Sequence, residues 1–180
     1  MKKPYRYETA VWADVPEELK TIALNARETR RGVYIHGSVG SGKTHVAYAI
    51  AEHLGQNFVD YVAFWNTTEL FAEMKKDFDK RRAHYEYETT IDRLLELKST
   101  LFLDDIGAEK PSEWVMEQLY LLVNRRYERG YITFFTSNLT ISELSEKLGD
   151  RTASRIAEMC EIYSLTGADR RITAAKARKN

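Results

Sequence analysis

GSVGSGKTHVAY, residues 37–48, is the stretch from which the rest of the chain is read. Its first eight residues hold three glycines and two serines, then Lys43 and Thr44, and apolar periodicity follows at once. Glycine loses more conformational freedom on folding than any other residue, so a cluster of glycines just ahead of a helix needs a use for bare backbone. GVYIHG (32–37) precedes it, a short apolar run closed by glycine that reads as a buried strand. HVAYAIAEHL (45–54) follows, with the spacing of a helix that ends near Gly55.

Strand, glycine loop, Lys-Thr and helix in that order make Gly37-x4-Gly42-Lys43-Thr44 a complete phosphate-binding loop pattern. The glycines let successive backbone N–H groups turn inward onto phosphate oxygens. The helix that starts there adds the positive end of its dipole. Gly37, Ser38, Val39, Gly40, Ser41, Gly42, Lys43, Thr44 and His45 are therefore the candidate phosphate cradle. Lys43 would reach the β- and γ-phosphates, and the Thr44 hydroxyl would hold Mg²⁺. A chance glycine turn before a helix is the alternative, and it leaves the Lys-Thr pair without a reason.

Working outward, PEELKTIALNARE (16–28) has helical spacing with Pro16 in its first turn. FVDYVAFW (58–65), TLFLDD (100–105), YITFFTSN (131–138) and EIYSLTG (161–167) read as further strands. Helices are expected over 67–82, 88–98 and 112–130, followed by two short ones in ISELSEKLG and RTASRIAEM. In the long helix Val115, Leu119, Leu122 and Val123 form an apolar stripe, and Gly130 stands where a helix-ending glycine belongs. Strands apolar on both faces, alternating with helices, predict a three-layer α/β/α domain with a five-stranded, mainly parallel sheet. Such sheets bind ligands at the C-terminal ends of their strands, and GSVGSGKT, DDIG and TSN all follow strands at that edge.

TLFLDDIG fits a Walker B strand. Asp104, at the strand end, would complete the Mg²⁺ shell facing Thr44, and Asp105 would polarise the attacking water. Aspartate at that second place is one methylene shorter than the glutamate common in such ATPases, and nearby Glu109 is an alternative base. Both carboxylates could instead cap the helix beginning near Ser112. In TSN, Asn138 is a candidate polar sensor between the carboxylate and the γ-phosphate. Farther on, Arg151 and Arg155 lie four apart on one helix face, placed to act on a neighbouring copy's nucleotide or to pair with Glu143, Glu146 or Asp150. Arg170 and Arg171 offer a second sensor arginine, and the sequence leaves open which points inward.

The bulk composition sets limits. With 180 residues there is enough chain for one domain with a real core. A formal net charge of zero means that any surface for nucleic acid is local. One cysteine, Cys160, excludes an internal disulfide framework and fits a reducing compartment, most simply as a small buried residue. No run of 18 apolar residues is present and MKKPYRYETAVW lacks the apolar core of a secretory signal, so the expected place is the cytoplasm, with no membrane partner. His36, His45, His53 and His84 show no metal-ligand spacing.

GSVGSGKTHVAYAIA, LFLDDIGAEKPSEW, NRRY, TSNLT and the SRI-to-GADRR tail occur in the order and spacing of a known group. From Arg31 to Arg171 the chain resembles the AAA+ ATPase domain, a P-loop NTPase of the ASCE type, of DnaC/DnaI-type replicative helicase loaders; the IstB-type transposition helper ATPases are similar. The resemblance implies binding and Mg²⁺-dependent hydrolysis of ATP. It also implies nucleotide-dependent homo-oligomers on single-stranded DNA and a replicative helicase as partner, or duplex coating for a transposase. It makes Arg155 the arginine finger, Arg151 a second trans-acting arginine and Arg171 the sensor. The domain plan expected is a lead-in segment and helix over 1–30, the ATPase domain over 31–172 and a basic tail, 173–180, expected to be disordered. Neither the loaders' N-terminal helicase-gripping domain nor a separate C-terminal helical lid is expected within these residues. For DNA, KKDFDKRRAHYEY (75–87) is the local candidate, with Lys76, Lys80, Arg81 and Arg82 for phosphates and Tyr85 for stacking. A solvated helix balanced by Asp77, Asp79 and Glu86 is the alternative.

Overall fold

The structure, a computed structural model, describes residues 3–57, 61–83, 89–96, 100–108, 110 and 112–167, with the side chains of 78–83 outside the description. Two 3-10 turns, Tyr5–Tyr7 and Trp12–Asp14, lead to α1 (Glu17–Thr29) and β1 (Gly32–His36). Then come α2 (Lys43–Asn57), β2 (Val62–Asn66), α3 (Thr67–Ala83), α4 (Thr90–Glu96) and β3 (Thr100–Asp104). The chain continues with α5 (Glu113–Glu128), β4 (Thr133–Ser137), α6 (Ile141–Leu148), α7 (Asp150–Met159) and β5 (Cys160–Ser164).

The strands pair in the order β2-β3-β4-β1-β5, and every pair is parallel. Parallel neighbours need crossover helices, and these cover both faces. On one face Tyr34, Leu101, Leu103 and Phe135 pack under α3, α5, α6 and α7, with Leu70, Leu119, Leu144 and Ile156. On the other, Val33, Ile35, Phe102 and Phe134 pack under α1 and α2, with Leu19, Val46 and Ile50. Each such side chain taken fully out of water contributes about 1.5–3 kcal/mol. Strand registry also lines up rings: Phe64 pairs with Phe102 and Phe102 with Phe134. Their centroids are 5.6 and 4.5 Å apart, and Tyr48 stacks on Phe64 at 3.9 Å.

The expected elements are present, with shifted ends. α2 starts at Lys43, directly on the glycine loop, and runs through Gly55 to Asn57, where a Cβ at Gly55 would meet only Val62 at an ordinary 3.6 Å. β2 begins at Val62 rather than 58, and residues 58–60 lie outside the described ones. β4 and β5 are each five residues, shorter than the apolar runs that announce them. α5 ends at Glu128, and Gly130 follows in the left-handed region (φ 62°), as its position after the apolar stripe implies.

The order matters more than the ends. β4 lies between β1 and β3, so the loop after β4 sits between the glycine loop and the carboxylates of β3.

Candidate functional site

β1 delivers the glycine loop. Gly37 stands against the end of β5, and a Cβ on it would lie 2.3 Å from the Leu165 carbonyl oxygen. Gly40 (φ 80°) and Gly42 (φ 100°) take backbone conformations that side chains disfavour. Within the loop the Ser41 N–H donates to the Ser38 carbonyl at 3.3 Å. The Ser41 hydroxyl is buried and has no hydrogen-bond partner among the described residues. Lys43 is 7% exposed and its ammonium is folded into the loop. It donates to the carbonyls of Gly37 (2.9 Å) and Ser38 (2.8 Å) and to Asn138 Oδ1 (2.8 Å). His45 turns its ring away, with Nε2 2.6 Å from Asp14 Oδ2, so what it offers the loop is its backbone N–H in the first turn of α2.

β3 delivers the carboxylates. Asp104 is 6% exposed. Its Oδ1 accepts from the Thr136 hydroxyl at 2.6 Å, and its Oδ2 from the Thr44 hydroxyl at 3.3 Å. Burial pushes its pKa above the usual carboxylate value; hydrogen bonds from Thr136, Thr44 and Asn66 pull the other way, and the charge of Asp105 adds to the rise. Asp105 has φ 60°, a left-handed conformation that aspartate tolerates better than most residues. Its N–H donates to Thr136 Oγ1 at 2.9 Å, and its Oδ1 accepts from Asn138 Nδ2 at 3.1 Å.

The structure thus joins Lys43, Asn138 and Asp105 in one hydrogen-bonded chain, and Thr44, Asp104 and Thr136 in another. Thr136, which reading the sequence missed, links Asp104 to the backbone of Asp105. Its only signal is a hydroxyl two residues before Asn138, on a strand that also carries Thr133 and Ser137. The loop after Asp105 is pinned too: Ser137 Oγ donates to the Ile106 carbonyl at 2.7 Å, and the Lys147 ammonium donates to that of Gly107. Glu109 lies outside the described residues.

The arginines stand apart from this edge cluster. Arg155 Nε donates to Asn124 Oδ1 of α5 at 2.6 Å, and Nη1 to the Arg151 carbonyl at 3.1 Å. Its guanidinium carbon is 5.0 Å from the Tyr120 ring centre and 5.8 Å from that of Tyr127. Two of the three alternative partners, Glu143 and Asp150, are engaged elsewhere. Glu143 caps α6 through Thr140, and Asp150 accepts from Ser145. Arg151 is exposed. Arg170 and Arg171 lie outside the described residues.

Of the DNA candidates, Lys76 is exposed and pairs with Glu73 at 3.1 Å. Lys80, Arg81 and Arg82 fall on α3 with their side chains undescribed, and Tyr85 lies outside the described residues. Lys75 places its ammonium 5.4 Å from the Trp114 ring centre, joining α3 to the start of α5. Asp77 is buried and accepts from the Thr90 N–H at 2.6 Å, which ties α3 to the start of α4.

Among the described residues no group of His, Cys, Asp and Glu is arranged to hold a metal unaided. A cation at Thr44 and Asp104 would take its other ligands from phosphate and water, as Mg²⁺ characteristically does. The buried, unpartnered Ser41 hydroxyl, the Lys43 ammonium and the helix start fit an anionic chain laid along the loop. Also among the described residues, no helix is long and apolar enough to cross a membrane.

Fold and site together define a P-loop NTPase of the AAA+ type. The chain belongs to the IstB-like ATP-binding protein family, whose profile matches residues 4–176. It is 30% identical over 139 residues to the phage-like element PBSX protein XkdC of Bacillus subtilis, covering 74% of this chain and 49% of that protein. It is 30% identical over 138 residues to the replicative helicase loader DnaI of the same organism, covering 75% and 41%. The crystal structure of the DnaC helicase loader superposes with a TM-score of 0.79 at 24% identity, over 91% of this chain and 100% of that one, a likeness of fold. The chain matches less than half the length of these curated relatives, 41–49% of each.

Proposed function

We propose that this chain binds and hydrolyses Mg·ATP at the loop edge of its sheet, and that its nucleotide state governs assembly on single-stranded DNA in the manner of a helicase-loader ATPase. The observation that carries the reading is the hydrogen-bonded chain from Lys43 through Asn138 to Asp105, beside the Thr44–Asp104 pair. Lys43 exchanges the carbonyls of Gly37 and Ser38 for β- and γ-phosphate oxygens. Thr44 and Asp104 would hold Mg²⁺, which when bound would neutralise charge on the phosphates. Asn138 orients Asp105, which accepts a proton from the water that attacks the γ-phosphorus as the bond to the bridging oxygen breaks. Arg155, with Arg151 beside it, serves the nucleotide of a neighbouring copy, and Arg171 senses the chain's own.

The similarity to a replicative helicase loader supports single-stranded DNA as ligand, a helicase as partner and the cytoplasm as setting. Lys76, Lys80, Arg81, Arg82 and Tyr85 are the proposed contacts. Membership of the IstB-like family favours a second reading, a transposition helper that coats duplex DNA. Fluorescence polarisation of labelled single-stranded and duplex DNA, with ATP, with ADP and without nucleotide at stated salt, separates the two. ATP-dependent preference for single strands is expected. Preference for duplex establishes the second reading, and binding to neither rules DNA out as the ligand.

A further inference from the structure

The cluster around Arg155 is built in an unusual way for a half-buried arginine. A guanidinium has five N–H donors. Here Nε is used by Asn124 and one Nη1 hydrogen by the Arg151 carbonyl. No carboxylate pairs with it among the described residues. Instead it lies against the rings of Tyr120 and Tyr127, which attract a cation without neutralising it.

The support is itself fixed. Asn124 Nδ2 donates to Glu128 Oε1 at 2.9 Å, so turning the amide over would set its NH₂ against the Arg155 Nε–H. Tyr127 donates its hydroxyl to Glu158 Oε1 at 2.7 Å, which ties the ring to α7. Tyr120, Asn124 and Tyr127 form one stripe of α5, at helical spacing, facing α7. The result is a cation with a locked Nε, two aromatic supports and no counter-ion among the described residues. Its remaining N–H groups, which no described residue engages, are open to an anion of another molecule.

We propose that Asn124, Tyr120 and Tyr127 are positioning residues that hold Arg155 as a preformed receptor for a phosphate oxygen of the nucleotide bound by a second copy of the chain. This rests on the reading of Arg155 as a trans-acting arginine. Preorganisation of this kind matters because a misplacement of about 1 Å can cost on the order of 10²-fold in rate.

The test mixes two inactive proteins. A Lys43→Ala copy lacks the nucleotide site but carries the arginine face, and an Arg155→Ala copy has the reverse. Hydrolysis of Mg·ATP is read in the mixture, with single-stranded DNA present. The mixture should recover turnover. Adding Asn124→Ala to the Lys43→Ala copy should lower the recovered rate on the order of 10²-fold, whereas adding it to the Arg155→Ala copy should change little. In the arginine-donating copy Tyr120→Phe should preserve the recovered rate and Tyr120→Leu should reduce it, because leucine keeps the burial and loses the ring. Recovery that ignores Asn124→Ala in the donor overturns the positioning role while leaving the trans arginine in place. Equal loss whichever copy carries the change shows a merely structural role and also overturns it. No recovery at all, with the wild-type protein active, overturns the trans reading and this inference with it.

Discussion

Thr136→Val removes one hydroxyl and almost no volume, and the structure assigns that hydroxyl two tasks. It donates to Asp104 Oδ1 at 2.6 Å and accepts the N–H of Asp105 at 2.9 Å. A hydrogen bond to a charged group is worth about 1.5–3 kcal/mol, and a backbone N–H left without a partner costs about 1–3 kcal/mol. Thr136 is 3% exposed, so water does not readily replace either interaction. Allowing for partial relaxation, the variant should lose about 2–4 kcal/mol of stability. For a domain of this size that lowers Tm by about 5–15 °C. Thermal or urea unfolding without nucleotide measures it, and Thr136→Ser, which keeps the hydroxyl, is the control. Thr136 is also the strongest of the hydrogen bonds pulling the Asp104 pKa down. Its loss should raise that pKa further, so the Mg²⁺ dependence of ATP binding should weaken as the pH is lowered. A loss below about 0.5 kcal/mol, the scale of an indifferent surface change, with Mg²⁺ dependence unaltered, would show that the Thr136 hydroxyl has neither task.

Burial raises the folded-state pKa of Asp104 above its unfolded value, so the stability tied to its protonated form is lost as pH rises through the folded pKa. Asp104→Asn, without nucleotide, should therefore be more stable than wild type at neutral pH and lose that advantage below the ordinary carboxylate range, as urea unfolding at both conditions would show. Gly37→Ala sets a Cβ 2.3 Å from the Leu165 carbonyl oxygen, which forces β5 and the loop apart; destabilisation of about 1–3 kcal/mol and loss of ATP binding are expected in the same preparation. Arg30 ends α1 at φ 55°, so Arg30→Gly should stabilise by about 0.5–1 kcal/mol in denaturant titration. Replacing Lys80 and Arg81 together by alanine should lower the slope of log affinity for single-stranded DNA against log salt by about 0.7 for each phosphate no longer neutralised. An unchanged slope would remove α3 from the DNA interface.

The glycine loop and the β3 carboxylates were legible because their chemistry is carried by neighbours in sequence. Gly37 to Thr44 and Asp104–Asp105 each follow or close a single strand, so neighbours in sequence are also neighbours at the edge of the sheet. Asn138 was readable only as the third member of that ordered set. Thr136 was not readable, since its role arises from β4 lying between β1 and β3, an order that periodicity does not encode. The surroundings of Arg155 were hidden for a similar reason. Carboxylates nearby in sequence, Glu143, Glu146 and Asp150, are the partners the sequence offers, yet its side-chain partner is Asn124, 31 residues away on α5. Gly55 marks the end of α2 to within two residues, and the helix passes through it to Asn57 because nothing there requires a left-handed residue.

Everything proposed for this edge depends on its holding Mg·ATP through the Lys43 ammonium. Calorimetric titration of Mg·ATP into the wild-type protein and into Lys43→Ala puts that dependence to the test. Saturable binding of one nucleotide per chain is expected in the wild type, and its loss in a Lys43→Ala variant that remains folded. Equal binding by both proteins, or none by the wild type, would overturn the assignment.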